Sequence, residues 1–231
     1  MTDRLQLFVR LATLAAADET HTDLAGRLCA AGRSILGADG AAITVENISS
    51  NRTTLSTTDG VMATLEDLQD VTGEGPCLDA FRHSTHFVLA LNDRPGGRWP
   101  EFARSAWQAV GDLTMYSFPM RPGGKIFGVI SVYLSNGREL PEPIDTAQFV
   151  ANAVGAALLG DPTAAEGFGT DSPWASRAQV HQACGMVAAQ LRLPPDDGLA
   201  ILRAHAYAYN LTLAETARQV VDRELDFRED S

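Results

Sequence analysis

Five histidines, three cysteines and a scatter of carboxylates are the side chains here able to move protons, hold metals or act as nucleophiles. His83 and His86 stand at a ligand-like interval. No third Cys, His or carboxylate follows at the spacing a metal site needs, so they read as a surface pair. His181 and His205 fall on helices whose partners are hydrophobic, and read as ordinary. Glu74 and Asp93 resemble a general acid and base, yet no nucleophile elbow, phosphate loop or metal set accompanies them. Cys77 follows Gly75-Pro76 at an expected helix start, where a thiolate is favoured. It has two readings, a redox or ligand-sensing thiol and, by default, a buried packing residue. The expectation is therefore a chain that is not an enzyme, with no metal and no cofactor.

A second chemistry is available in the last quarter of the chain. From Trp174 to Arg223 there are five arginines, Arg177, Arg192, Arg203, Arg218 and Arg223, against Asp196, Asp197, Glu215 and Asp222. Tyr207 and Tyr209 lie among them. Residues 1–160 carry 12 basic and 18 acidic side chains, and the whole chain has 18 Lys+Arg, 29 Asp+Glu and a net charge of −11. Such a chain does not coat nucleic acid through bulk electrostatics. A polyanion site on it has to be a local patch in which stacking supplements a few cations.

The elements that would position these residues can be read from periodicity. With 231 residues, 45% of them hydrophobic, the chain is long enough for one large domain or two modest ones. The Gly/Pro/acid-rich run from Gly160 to Pro173 breaks the pattern, giving a domain at 1–160, a linker at 161–172 and a second domain at 173–231. The first domain opens with a helix from Asp3 to Ala17 that is apolar on two sides: Leu5, Phe8 and Val9 on one, Leu7, Leu11 and Leu14 on the other. A helix of that kind needs two partners, its own domain and a second chain. A helix from His21 to Leu36 ends at Gly37, and Ala41–Val45 and Thr53–Thr57 form a hairpin around Ser50-Asn51-Arg52. Val61–Asp70 and a stretch opening at Pro76 are helical, Phe87–Leu91 is a strand, and Phe102–Val110 is a helix. Met115–Met120 and Ile126–Leu134 are strands, and Ile144–Leu159 is a closing helix. Helices around a mainly antiparallel sheet make an α+β fold.

The second domain reads as all-α, with three helices. Their core stripes are Val180, Ala183, Cys184, Val187 and Leu191; Leu199, Leu202, Ala206 and Tyr209; and Leu213, Ala217, Val220 and Val221. Thr212 and Glu215 form a capping box for the third. Cys29, Cys77 and Cys184 are too few and too scattered for a disulfide framework, which suggests a reducing compartment. The N-terminus lacks a secretory signal, and no apolar run approaches the roughly 18 residues of a bilayer span. The expected location is the cytoplasm, with no membrane partner.

Residues Gly73-Glu-Gly-Pro-Cys77, the Asn92-Asp93…Trp99-Pro100-x-Phe102 loop and Gly124-Lys-Ile-Phe-Gly-Val-Ile-Ser-Val-Tyr133 resemble a GAF domain over about residues 20–160. The resemblance is to the actinobacterial type fused to an RNA-binding module. Arg177-Ala…Val180-His-Gln-Ala-Cys-Gly-Met-Val187, Leu199-Ala-Ile-Leu-Arg-Ala-His-Ala206 and Asn210-Leu-Thr-Leu…Ala217…Val220-Val221 resemble an ANTAR domain over about 173–227. Together they imply a transcription antitermination regulator that binds tandem hairpin loops in nascent RNA, with a GAF-type sheet for sensing or dimerisation and a homodimer as the assembly. On that reading the RNA contacts are Arg177, Arg203, Tyr207, Asn210 and Arg218, and Cys77 and Asp93 face a small-molecule ligand of the GAF domain. Leu78 follows Cys77 where bilin-carrying relatives have His, so no bilin is expected.

Several of these residues keep a blander alternative. Arg203 either aims at a loop phosphate or guanine, or lies along apolar surface with its head on an acid such as Glu215. Tyr209 is placed in the core and Tyr207 at its edge. Asn210 suits a C-cap as well as a base reader, and Arg218 a solvated charge. A different function also stays open: a GAF signalling module whose helical tail binds a protein instead of RNA.

Overall fold

The computed structural model describes residues 4–46, 52–93, 97–160, 173–209 and 211–228. They belong to two compact units, residues 1–66 with 74–166 and residues 67–73 with 167–231. The linker expected at 161–172, the turn residues Ser50 and Asn51, and Asn210 lie outside the described residues.

The first unit runs α1 (Arg4–Ala17), α2 (Leu24–Leu36), β1 (Gly40–Glu46), β2 (Arg52–Thr57), α3 (Gly60–Thr72), α4 (Pro76–His83), β3 (Phe87–Leu91), α5 (Pro100–Val110), β4 (Leu113–Met120), β5 (Gly128–Ser135) and α6 (Ile144–Leu159). The last turns of α3 belong to the second unit. Helix α2 starts three residues later than its periodicity suggests. Asp23 is its N-cap, accepting from the Gly26 amide at 2.6 Å, while His21 stays outside and bonds Asp18 at 2.8 Å. Gly37 closes the helix at φ 63°, a conformation that costs glycine nothing.

The five strands form one antiparallel sheet in the order β2-β1-β5-β4-β3. Helices cover both faces, and every residue of the central strand β4 is buried. Adjacent residues of β5 show the two layers. A Cβ added at Gly32 of α2 would lie 2.9 Å from Ile130, while Val129 packs with Cys77 and Ala80 of α4 on the other side. Pro119 sits in β4 beyond the last residue paired to β3, Ser117, and opposite Val129 of β5. Its carbonyl accepts from Gln148 of α6 at 2.7 Å, so its polar edge faces away from β5 and the missing amide costs no ladder bond.

Helix α1 behaves as a two-sided element. Leu7, Leu11 and Ala15 are buried, while Leu5, Phe8 and Val9 are exposed.

The second unit holds α7 (Pro173–Leu191), α8 (Pro195–Tyr209) and α9 (Leu213–Val221). Ala183 and Val187, Leu202 and Ala206, and Leu213, Ala217 and Val220 meet in one buried cluster, joined by Val71. Val180, Cys184, Leu191 and Leu199 pack around it, so the three expected stripes converge. Gly198 lets α7 and α8 touch: a Cβ there would lie 2.4 Å from the Cys184 carbonyl oxygen. Thr212 and Glu215 form the reciprocal capping box of α9, with a 3.1 Å bond from the Glu215 amide to Thr212 Oγ1.

One core assignment is corrected. Tyr209 is 65% exposed. It lies in the last turn of α8, where its ring stacks on His205 one turn back instead of entering the cluster.

Candidate functional site

The interior of the first unit is not uniformly apolar. On α3, Glu66 lies on the same stripe as buried Met62 and Leu65 and is itself 1% exposed. A carboxylate there needs a partner, because an unpaired buried charge costs several kcal/mol. Arg52, the first residue of β2, supplies it: Nη1 donates to Glu66 Oε2 at 2.5 Å and Nη2 to the Glu66 carbonyl at 2.9 Å. Thr44 donates to Glu66 Oε2 at 3.4 Å and shares a 3.2 Å bond with Thr54, and Ser117 and Ser131 share one of 3.0 Å. Sequence reasoning missed this floor. A lone acid on an apolar helix stripe was its only local signal.

Cys77 is fully buried on α4, against Ala80 and Val129, with Phe81 and Phe87 packed nearby. Burial pushes its thiol up to about 12, and the Glu66 charge adds to the rise. Of the two readings of Cys77, the structure has the buried packing residue: desolvation outweighs the favourable end of a two-turn helix. Asp93, the other proposed ligand contact, is exposed.

Glu74 takes a structural role. Its Oε1 accepts from the amides of Glu101 and Phe102 at 2.7 and 2.9 Å, so it caps the first turn of α5.

Asp79, which sequence reasoning also passed over, gathers the loop before α5. Its Oδ2 accepts from Arg98 Nε at 2.5 Å and Trp99 Nε1 at 3.0 Å. The Arg98 guanidinium sits 4.9 Å from the centre of the Phe87 ring, and Trp99 meets Phe87 edge-on at 5.6 Å. Burial pulls the Asp79 carboxyl upward, but the bonds from Arg98 and Trp99 and the Arg98 charge together hold it below its ordinary value. His83 and His86 do not converge on a metal: His83 faces Arg98 at 3.2 Å, and His86 stacks at 6.0 Å on Phe118.

In the second unit the expected contacts separate. Arg203 and Tyr207 lie one turn apart on α8. Arg203 is half-buried and its Nε donates to the Asp70 carbonyl at 2.8 Å, so its head meets a backbone oxygen and not Glu215, which is engaged by Thr212. Tyr207 is exposed. Arg218 is exposed on α9, 3.4 Å from Asp222 and 3.5 Å from Glu224. Arg177 is on α7, and nothing is described of its side chain; Asn210 is outside the described residues. A different set is brought together. His205 and Tyr209 stack with centroids 4.3 Å apart at 29°, and Phe227 meets His205 edge-on at 5.3 Å.

Residues 174–221 match the ANTAR domain family. Three solved structures illustrate what the first unit is similar to. A GAF domain titled as nlh2 of A. aeolicus in an inactive state is 14% identical with a TM-score of 0.48, covering 66% of this chain and 93% of that one. The GAF domain of a phosphoenolpyruvate-protein phosphotransferase from Coxiella burnetii is 11% identical with a TM-score of 0.47, covering 71% and 96%. Its Acinetobacter counterpart is 11% identical with a TM-score of 0.45, covering 69% and 97%. Comparison with curated proteins finds no match. Among the described residues, no helix is long and apolar enough to cross a membrane.

Proposed function

We propose that this chain is a transcription antitermination regulator of the cytoplasm, in which the second unit binds the loops of tandem RNA hairpins. The first unit, as a GAF-like module, would sense a small molecule and join two copies. The observation that carries this reading is the ANTAR match at 174–221, lying on three helices whose motif residues close one core. In mechanism, the protein adds its binding free energy to one of two exclusive RNA folds, the paired hairpins, and so depletes the terminator. This mechanism requires no chemical step.

Support for a sensing role comes from the polar floor of Arg52, Glu66, Thr44 and the Ser117–Ser131 pair inside the first unit. Support for a homodimer comes from the outer face of α1, where a groove is lined by Leu5, Val9 and Leu14 with Gln6, Arg10 and Thr13.

Filter binding of the full chain to tandem hairpins with six-base loops, as a function of salt, tests the proposal. The expected result is binding that depends on loop sequence. The six arginines of the second unit cap the phosphate contacts per protomer, so log affinity should fall with log salt no more steeply than about −4 per protomer. No preference for hairpins over unstructured RNA would overturn it and leave the protein-partner reading.

A further inference from the structure

The arrangement of rings on the second unit points to a base-binding platform that the arginine pattern does not reveal. Tyr209 is 65% exposed, and one face of its ring is taken by His205 at 4.3 Å. His205 is in turn backed by Phe227, edge-on at 5.3 Å. Phe227 is not loose: its amide donates to Gln190 Oε1 at 3.3 Å, and its ring packs against the buried cluster of the three helices. Three rings are thus ordered in series from the core outward, and the series ends at Tyr209. The side chains flanking the stack on α8, Ala204 and Ala208, are small and exposed, so nothing bulky on the helix prevents a flat group from lying along it.

We propose that the His205–Tyr209 stack is a platform on which one unpaired base of a bound RNA loop continues the ring series. The proposal rests on the RNA reading above and names a residue set it did not contain. Charge decides the occupant. Between Trp174 and Arg223 five arginines face four acids, and Arg218 and Arg203 already have acidic or carbonyl neighbours. Phosphate contacts alone therefore give little affinity, and stacking on a preordered aromatic surface has to supply much of the rest. A base suits this surface because every base offers a π-face, and stacking requires no added cation. Preorder matters too: a ring already held by a second and third ring loses little rotamer freedom when a base arrives.

The test uses the full-length chain, tandem hairpins with six-base loops, and the variants Tyr209→Ala and Tyr209→Phe. Tyr209→Ala should weaken binding about five- to a hundredfold. Its salt slope should stay that of the parent, because stacking releases no counterions. Tyr209→Phe, which keeps the ring, should bind like the parent. Tyr209 is outside the core, so both variants should melt with the parent by circular dichroism. A 2-aminopurine placed in turn at each loop position should be quenched on binding at one position, and that quenching should vanish with Tyr209→Ala. Failures separate cleanly. If the parent chain does not bind the hairpins, both readings fall. If it binds them and Tyr209→Ala binds equally well, or if affinity falls together with the salt slope, the platform is wrong and the RNA reading stands.

Discussion

At neutral pH the Asp79 carboxylate holds Arg98 and Trp99 and has Arg82 3.6 Å away. Its carboxyl titrates below the ordinary value in the folded chain, so the folded state binds that proton less readily than the unfolded one. The resulting stability is fully present above the unfolded value of about 3.9 and is lost as pH falls through the lower folded value. Asp79→Asn should cost about 1–2 kcal/mol at pH 7, the range for charge-assisted bonds discounted for the exposed Arg98. Melting curves of parent and variant should converge as pH drops below about 4; a gap that stays constant down to pH ~2 would show that the charge is not involved. Sequence alone puts Asp79 on a helix. It carries no sign that Arg98, 19 residues on, folds back to meet it, because ion pairs between a helix and a loop have no period. The same limit hid Arg52 and Glu66, whereas Cys77 was legible as a buried packing residue, with the pull of the helix start on its thiol readable locally and the desolvation that outweighs it not.

Among the helices, two glycines of the second unit separate packing from propensity. A Cβ at Gly198 would stand 2.4 Å from the Cys184 carbonyl oxygen, and a carbonyl of a neighbouring helix cannot swing aside. At Gly185, on α7, an added Cβ meets nothing within 4 Å. Gly198→Ala should therefore part α7 from α8 and destabilise the unit by about 2 kcal/mol or more, as overpacking does. Gly185→Ala should stabilise it by about 0.5–1 kcal/mol through helix propensity. Urea denaturation of the two full-length variants measures both, and equal effects would refute the close crossing. At this scale the chain was readable: strands, the Thr212–Glu215 cap, the Gly37 stop and the three converging stripes all appear where their periods place them. The exceptions share a cause. Tyr209 has the angle of a core residue but the position of a helix end, and His21 has the period of α2 but lies before its cap, so angular pattern overextends wherever an element stops.

For the molecule as a whole, the exposed apolar side of α1 sets the expected assembly. Leu5, Phe8 and Val9 are exposed at 67%, 48% and 54%, and burying each contributes about 1.5–3 kcal/mol. Helix α6 turns Val150, Ala151, Val154 and Leu158 inward and leaves Leu159 exposed, so α1 offers the larger apolar face. Phe8→Glu with Val9→Glu should convert a dimer to a monomer by light scattering with little change in melting temperature; a mass that stays at two chains would place the seam elsewhere. The α+β class and the helical tail could be read from composition and period, but which side of α1 faces water could not, because both sides are equally apolar. The end of β4 bears on association of another kind. Past Ser117 no residue of β3 pairs with this strand, but Pro119 and Met120 are buried, so the margin is not open to the pairing that drives runaway fibril growth. Pro119 has no amide to offer there, and its oxygen is already spoken for by Gln148, so a stray extended peptide finds no rung to grip. Crowded expression should therefore leave this margin quiet.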